Sequence, residues 1–327
     1  MGGILNGRRS ETTARIKQIR EKLVDAEKLC GETACVYMTG SFSRGESSHH
    51  SDLDLFIVSM GSSSKPTLRR LDEILIKADL IETTRELKIP DFSGDGAYLT
   101  HYTVADLTET LGKPEDDISN TFTARLLLLL ESRFLLGSTA YRDIIEDVIT
   151  AYWKDYEDHK TDFMPAFLAN DVLRMWRTFC VNYEARTQSS PPERRAVRRL
   201  MNYKLKHSRL LTCYSALLYL LVVYAKNRTV SPTDALHMIS LTPTERLEWL
   251  MSQPNLSDSR PAIENLITFY EQFLQLTDAS KSDLVALFGD KGRSKEYWES
   301  ASKFGDLVFE VLQSIGKDNR FYRLLVV

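Results

Sequence analysis

The sequence predicts an α+β fold, with a small mixed-sheet unit at the N-terminal end and an all-helical part after it. Three observations carry that reading. Residues 12–30 place Ile16, Ile19, Leu23 and Ala26 at helical spacing. Two short β-type apolar runs follow, at 33–39 and 53–59, and a Tyr- and Thr-rich stretch at 97–104 suits a third strand. From Asp106 onward the apolar period is that of helices. Strands followed by runs of helices give an α+β arrangement rather than an alternating α/β one.

Each later element has its own signal. Residues 61–66, GSSSKP, make a turn, and a helix is expected over 67–79 after it. Residues 90–96, PDFSGDG, read as a loop. The run TFTARLLLLLESRFLLGS reads as one buried helix ended by Gly137. Apolar helices are expected in DVLRMWRTFCVNYEAR, KLKHSRLLTCYSALLYLLVVY, RPAIENLITFYEQFLQL and EYWESASKFGDLVFEVLQSIG, with a loop at 187–192. Trp153, Trp176, Trp249 and Trp298 fall in these patterns and read as core. The resulting division is 1–135 and 136–327.

Composition narrows the function classes. A chain of 327 residues that is 43% hydrophobic has enough apolar material for one or two packed cores. A net charge of −3 argues against a nucleic-acid coat or a membrane-surface protein. Cys30, Cys35, Cys180 and Cys213 form no CxxC or metal-like spacing, so a reduced, cytoplasmic protein is expected. The start, MGGILNGRRSETTARIKQ, contains no apolar signal core, and the apolar stretch 210–224 is too short and too interrupted for a membrane span. No membrane partner is expected.

Chemistry concentrates in MTGSFSRGESSHHSDLDLFIV, residues 38–58. Asp52 and Asp54 stand two apart on an extended segment, which sends both carboxylates to one face, while Leu53, Leu55 and Ile57 take the other. Paired carboxylates repel unless a cation lies between them, and Mg²⁺ suits a site that completes its shell with water and substrate phosphate. Gly40 and Ser41 follow the first apolar strand at a tight turn whose N–H groups and hydroxyl suit a polyphosphate. Arg44 adds a positive charge for the same phosphates.

An apolar strand, Gly-Ser, ten intervening residues, then Asp-hydrophobic-Asp opening a second strand resembles the signature of the DNA polymerase β-like nucleotidyltransferase superfamily. GSFSRGE (40–46) and SDLDL (51–55) are similar to the GSxxRGE and SDxDL variant of PII-uridylyltransferase domains and their nucleotidyltransferase relatives. Glu131 to Ser138 is similar to a leucine-rich helix with Glu-x-Arg in those relatives. Lys204 and Lys206 lie in a segment faintly similar to their Asp-x-Lys motif, whose following glycines are here His207, Ser208 and Arg209.

The resemblance implies that Gly40 and Ser41 hold the triphosphate of an NTP and that Asp52 and Asp54 bind Mg²⁺ or Mn²⁺, with Glu46 nearby. An acceptor would attack the α-phosphate and pyrophosphate would leave. Family members often carry a third carboxylate on a later strand. The 97–104 stretch contains no acid, and Asp95 and Asp91 are the nearest candidates. A different acceptor chemistry or an inactive, nucleotide-binding copy would each account for that gap. The helical part is expected to supply acceptor recognition, since the catalytic unit is too small to form both walls of a cleft. A protein acceptor is favoured, with a small molecule, a second nucleotide (as in an oligonucleotide synthase) or RNA as alternatives.

Two further features stay open between a functional and a solvated role. Asn170, Arg174 and Arg177 form a polar stripe at i, i+4 and i+7, facing either a cleft or solvent. Residues 193–209 hold seven Lys or Arg against one acid, without the aromatic interleaving of a single-strand platform. His49 and His50 read as solvated loop residues.

Overall fold

The computed structural model describes residues 3–92, 96, 99–187 and 194–326. The chain divides into two compact units, Met1–Lys154 and Asp155–Val327.

The first unit is built on a four-stranded mixed sheet. Helices α1 (Gly3–Lys22) and α2 (Val24–Cys30) lead into strand β1 (Ala34–Thr39), the short helix α3 (Gly40–Ser43) and strand β2 (Asp54–Ser59). A small hairpin, β3 (Gly61–Ser62) and β4 (Lys65–Pro66), precedes helix α4 (Arg70–Glu86). Strand β5 (His101–Thr103) is followed by α5 (Val104–Thr108), α6 (Glu115–Ile118) and α7 (Thr121–Leu130). Strand β6 (Arg133–Leu136) and helix α8 (Ser138–Tyr152) complete the unit.

The strand order is β5-β2-β1-β6. β1 runs antiparallel to β2, with Ala34 opposite Ser59 and Thr39 opposite Asp54. β6 is antiparallel to β1 and β5 is parallel to β2. Alternation along β1 and β2 feeds two cores. Val36, Met38, Leu55 and Ile57 pack with Ile16, Ile19, Ala26, Ile76 and Leu80 from α1, α2 and α4. On the opposite face Tyr37 stacks on Phe56 at 5.3 Å, and its hydroxyl donates to the carbonyl of Ala124 on α7.

Three expectations need correcting here. The run 121–138 is not one helix: α7 stops at Leu130, Glu131 turns to φ −153°, and 133–136 join the sheet as β6. Pairing with β1 outweighs the helical propensity of the leucines because it satisfies an otherwise bare edge of that strand. Gly137 then sits at φ +70°, where a Cβ would stand 2.0 Å from the carbonyl oxygen of Ala34. It therefore ends a strand and not a helix. The boundary also lies later than 135, because β6 and α8 belong to the sheet and its cover. The third strand is only His101–Thr103, since Thr103 caps α5 through a capping box with Asp106. Ala97 and Tyr98 lie outside the described residues.

Arg125, within the leucine run, is fully buried. It makes two parallel bonds to Asp116, at 2.8 and 2.6 Å, and donates to the Tyr152 hydroxyl and the Leu107 carbonyl. Full pairing makes such burial tolerable, and it ties α5, α6, α7 and α8 together.

The second unit is helical: α9 (Ala166–Thr187), α10 (Arg195–Lys204), α11 (Leu210–Asn227), α12 (Pro232–Ser240), α13 (Pro243–Ser252), α14 (Arg260–Leu276), α15 (Lys281–Gly289), α16 (Lys291–Gly316) and α17 (Arg320–Val326). A π-helical turn, Leu205–Arg209, makes α10 and α11 one continuous rod. Among the described residues, Arg195–Asn227 is the one helical run long and apolar enough to cross a membrane, and 83% of its apolar window is buried. That burial fits a core helix. The loop expected at 187–192 falls mostly outside the described residues. Trp298, expected in the core, is 59% exposed, with the Lys206 ammonium 5.6 Å above its ring.

His207 in the π-turn lies between Phe273 and Phe304, at 4.9 and 4.8 Å. Its Nδ1–H donates to the Tyr203 carbonyl, and Nε2 is buried without a hydrogen-bond partner among the described residues. Burial holds the imidazole down to about 4, from an ordinary 6.5. A depressed histidine favours the folded state above pH 6.5, and that contribution is lost as pH falls from 6.5 to about 4. His207→Leu is therefore expected to remove about 3 kcal/mol of the stability lost over that interval, at 1.36 kcal/mol per unit. Urea unfolding at a series of pH values checks it, and an unchanged slope refutes it.

Candidate active site

The sheet positions the Gly-Ser turn against the carboxylate pair. β1 ends at Thr39, opposite Asp54, so the next residue, Gly40, meets the Asp54 side chain. Gly40 has φ +69°, and a Cβ there would lie 2.8 Å from Asp54 Oδ2. Only glycine allows both that backbone angle and that approach. Asp54 is the first residue of β2, and Asp52 lies in the loop just before it; both are half-buried. Leu53, Leu55 and Ile57 are buried in the core beneath. Thus two carboxylates stand at the rim of the sheet, beside a turn stripped of side-chain bulk.

Ser41 is half-buried in the first turn of α3, and among the described residues its hydroxyl makes no hydrogen bond within the protein. The Gly40 N–H is occupied, donating to Glu131 Oε1 at 3.3 Å. Gly40 therefore provides close approach, and Ser41 is the turn's available donor.

Arg44 departs from expectation. Instead of facing phosphate, its side chain is buried between two acids, with Nε 2.8 Å from Glu46 Oε2 and Nη1 2.9 Å from Glu131 Oε2. Its charge is already matched there, so it braces the turn. Glu46 is likewise buried as a partner of Arg44 and does not face solvent. Glu131, missed by the sequence reading as part of a helix, bonds the backbone at Gly40 and the guanidinium of Arg44 together. The available signal was an acid directly after five leucines, a poor continuation for a fully buried helix.

The loop that carries the chain from Arg44 to Asp52 is held by α1. Arg8 donates to the carbonyl of Ser47, and Arg15 to that of Ser48. The Ser47 N–H donates to the Thr12 hydroxyl at 2.9 Å. Arg8, Thr12 and Arg15, spaced for one helix face, were also not singled out from sequence. His49 is exposed and 3.5 Å from Glu11.

Residues 16–96 match the family model described as a nucleotidyltransferase domain. The first unit carries a nucleotidyltransferase domain of the polymerase β-like superfamily. The match spans the helix–strand–turn–strand core containing Gly40, Ser41, Asp52 and Asp54. Such domains transfer nucleoside monophosphate groups from NTPs. No curated protein and no solved structure matches the chain significantly.

The nucleotidyltransferase unit does not contain every candidate. Arg174, Arg177, Lys204 and Lys206 belong to the second unit. There, Lys204 is exposed on α10, and Arg174 and Arg177 line a cavity beside α17. Asp95, the candidate third carboxylate, lies outside the described residues. Among the described residues, no group of three or more His, Cys, Asp or Glu side chains is arranged to hold a metal.

Proposed function

We propose that this protein transfers a nucleoside monophosphate from an NTP to an acceptor hydroxyl or amine, with release of pyrophosphate. A protein acceptor is favoured because GSFSRGE and SDLDL are most similar to the uridylyltransferase-like variant of the motif. The observation that carries the reading is the contact of Gly40 with the Asp54 carboxylate. A Cβ at Gly40 would stand 2.8 Å from Asp54 Oδ2, so only a bare turn lets that carboxylate sit where a charged ligand and its counter-ion would meet.

The donor set fits Mg²⁺ or Mn²⁺, since both acids offer hard oxygen ligands and phosphate oxygens would complete the shell. Asp52 and Asp54 would hold the ion, which when bound supplies charge neutralisation for the phosphates. The N–H groups that open a helix have no acceptors within it, so α3 offers Ser41 N–H and Oγ to the triphosphate. Arg44, Glu46 and Glu131 would keep that turn in place, and Arg8, Thr12 and Arg15 would keep the following loop in place. The acceptor's oxygen or nitrogen forms a bond to the α-phosphorus as the bond to pyrophosphate breaks, and the acceptor's proton is released. The reaction is assigned to a reducing, cytoplasmic setting.

A second reading is nucleotide binding without transfer. It draws on the carboxylate set, which among the described residues has no third member at the site. One experiment separates the two. The purified chain is incubated with each α-labelled NTP and Mg²⁺ or Mn²⁺, with and without cell lysate and with excess chelator. Label in a protein, RNA or small-molecule fraction, lost with chelator, is expected and names the base and acceptor class. Nucleotide binding with no label and no pyrophosphate would establish the binding protein instead.

A further inference from the structure

The second unit contains a cavity of about 520 Å³ between α9 and α17. That volume is within the usual range of small-ligand sites. One wall is α9, where the polar Asn170, Arg174, Arg177 and Thr178 stand beside Leu173 and Val181. The other is apolar, formed by Leu324, Leu325 and Val326 of α17. The stripe therefore lines a half-open pocket and is not a plain solvated face.

We propose that this cavity binds a small amphiphilic organic anion, with a carboxylate or phosphate head on the arginines and a short apolar body against α17. Charge complementarity selects the head. Arg174 is partly offset by Asp171 at 3.7 Å, whereas Arg177 makes no salt bridge among the described residues and is exposed at the cavity. A guanidinium beside apolar walls binds an oxyanion more strongly than one in open water. The lining contains no aromatic side chain, so it offers a nucleobase no stacking surface. An inorganic anion alone would leave the apolar wall uncovered. This inference stands apart from the reaction proposed for the first unit.

Titration calorimetry on the full chain tests it, with octanoate, octyl phosphate, octylamine, octanol and inorganic phosphate as probes. Octanoate and octyl phosphate are expected to bind at least about tenfold more tightly than the other three, the worth of one charged hydrogen bond. The tighter of the two fixes the head group. Arg177→Gln should erase most of that preference and leave octanol binding unchanged. Val181, exposed at the same cavity, provides a second variant that the fold tolerates: Val181→Asp should weaken octanoate by repulsion. Equal binding of octylamine, no binding of any probe below about 1 mM, or an Arg177→Gln protein with wild-type preference would each overturn the proposal.

Discussion

Asparagine at Asp54 is expected to lower nucleotidyl transfer by at least about 10³-fold, while unfolding free energy changes by less than about 1 kcal/mol. The side chain keeps its shape and its place at the start of β2, so packing of Leu53, Leu55 and Ile57 beneath is preserved. One of the two charges that would hold a cation is removed, and a ligated cation contributes several kcal/mol to a phosphoryl transition state. Losing one of two like charges also relieves repulsion, which opposes any loss of stability. Gly40→Ala approaches the same carboxylate from the other side and should differ in kind. Its Cβ would stand 2.8 Å from Asp54 Oδ2 at φ +69°, so the turn must move. The left-handed angle costs a non-glycine residue about 1–2 kcal/mol, and a displacement on the order of 1 Å costs about 10²-fold in rate. Turnover and urea unfolding on the same preparations separate the two variants. An Asp54→Asn protein that keeps a tenth of its turnover would remove Asp54 from the site.

The parts of this site that were legible in the sequence are those whose residue types carry the information locally. Gly40 and Ser41 announce a turn, and two acids entering an apolar strand announce a charge that needs company. β1 and β2 fall within a residue of their expected ends because a short apolar run, buried on both faces, is a local pattern. What could not be read depends on contacts distant in sequence. Glu131 is 91 residues from Gly40, and no periodicity reports that they meet. The leucines before Glu131 suit a helix and a buried strand equally, so the break came from the bare edge of β1. Arg44 looked like a phosphate ligand because its charge was visible and its two partners were not. In the second unit the spacing of Asn170, Arg174 and Arg177 was clear, but the apolar wall opposite comes from α17, about 150 residues later.

Replacing Arg44 by methionine separates bracing from phosphate binding. The substitution keeps the apolar stem and removes the cation that bonds both Glu46 and Glu131. Two carboxylates would then be buried without it, and breaking a buried ion pair by removing one partner costs about 3–5 kcal/mol. The loss should appear in urea unfolding with no nucleotide present. Arg44→Met combined with Glu131→Gln should recover part of it, since one stranded charge is gone and the amide oxygen still accepts from Gly40 N–H. If Arg44 instead gripped the triphosphate, Arg44→Met would weaken NTP binding and leave the apoprotein's stability nearly untouched. The two roles thus predict opposite patterns in two independent measurements. Burial of the guanidinium between matched acids favours the first, because a group that is already neutralised has little attraction left for phosphate.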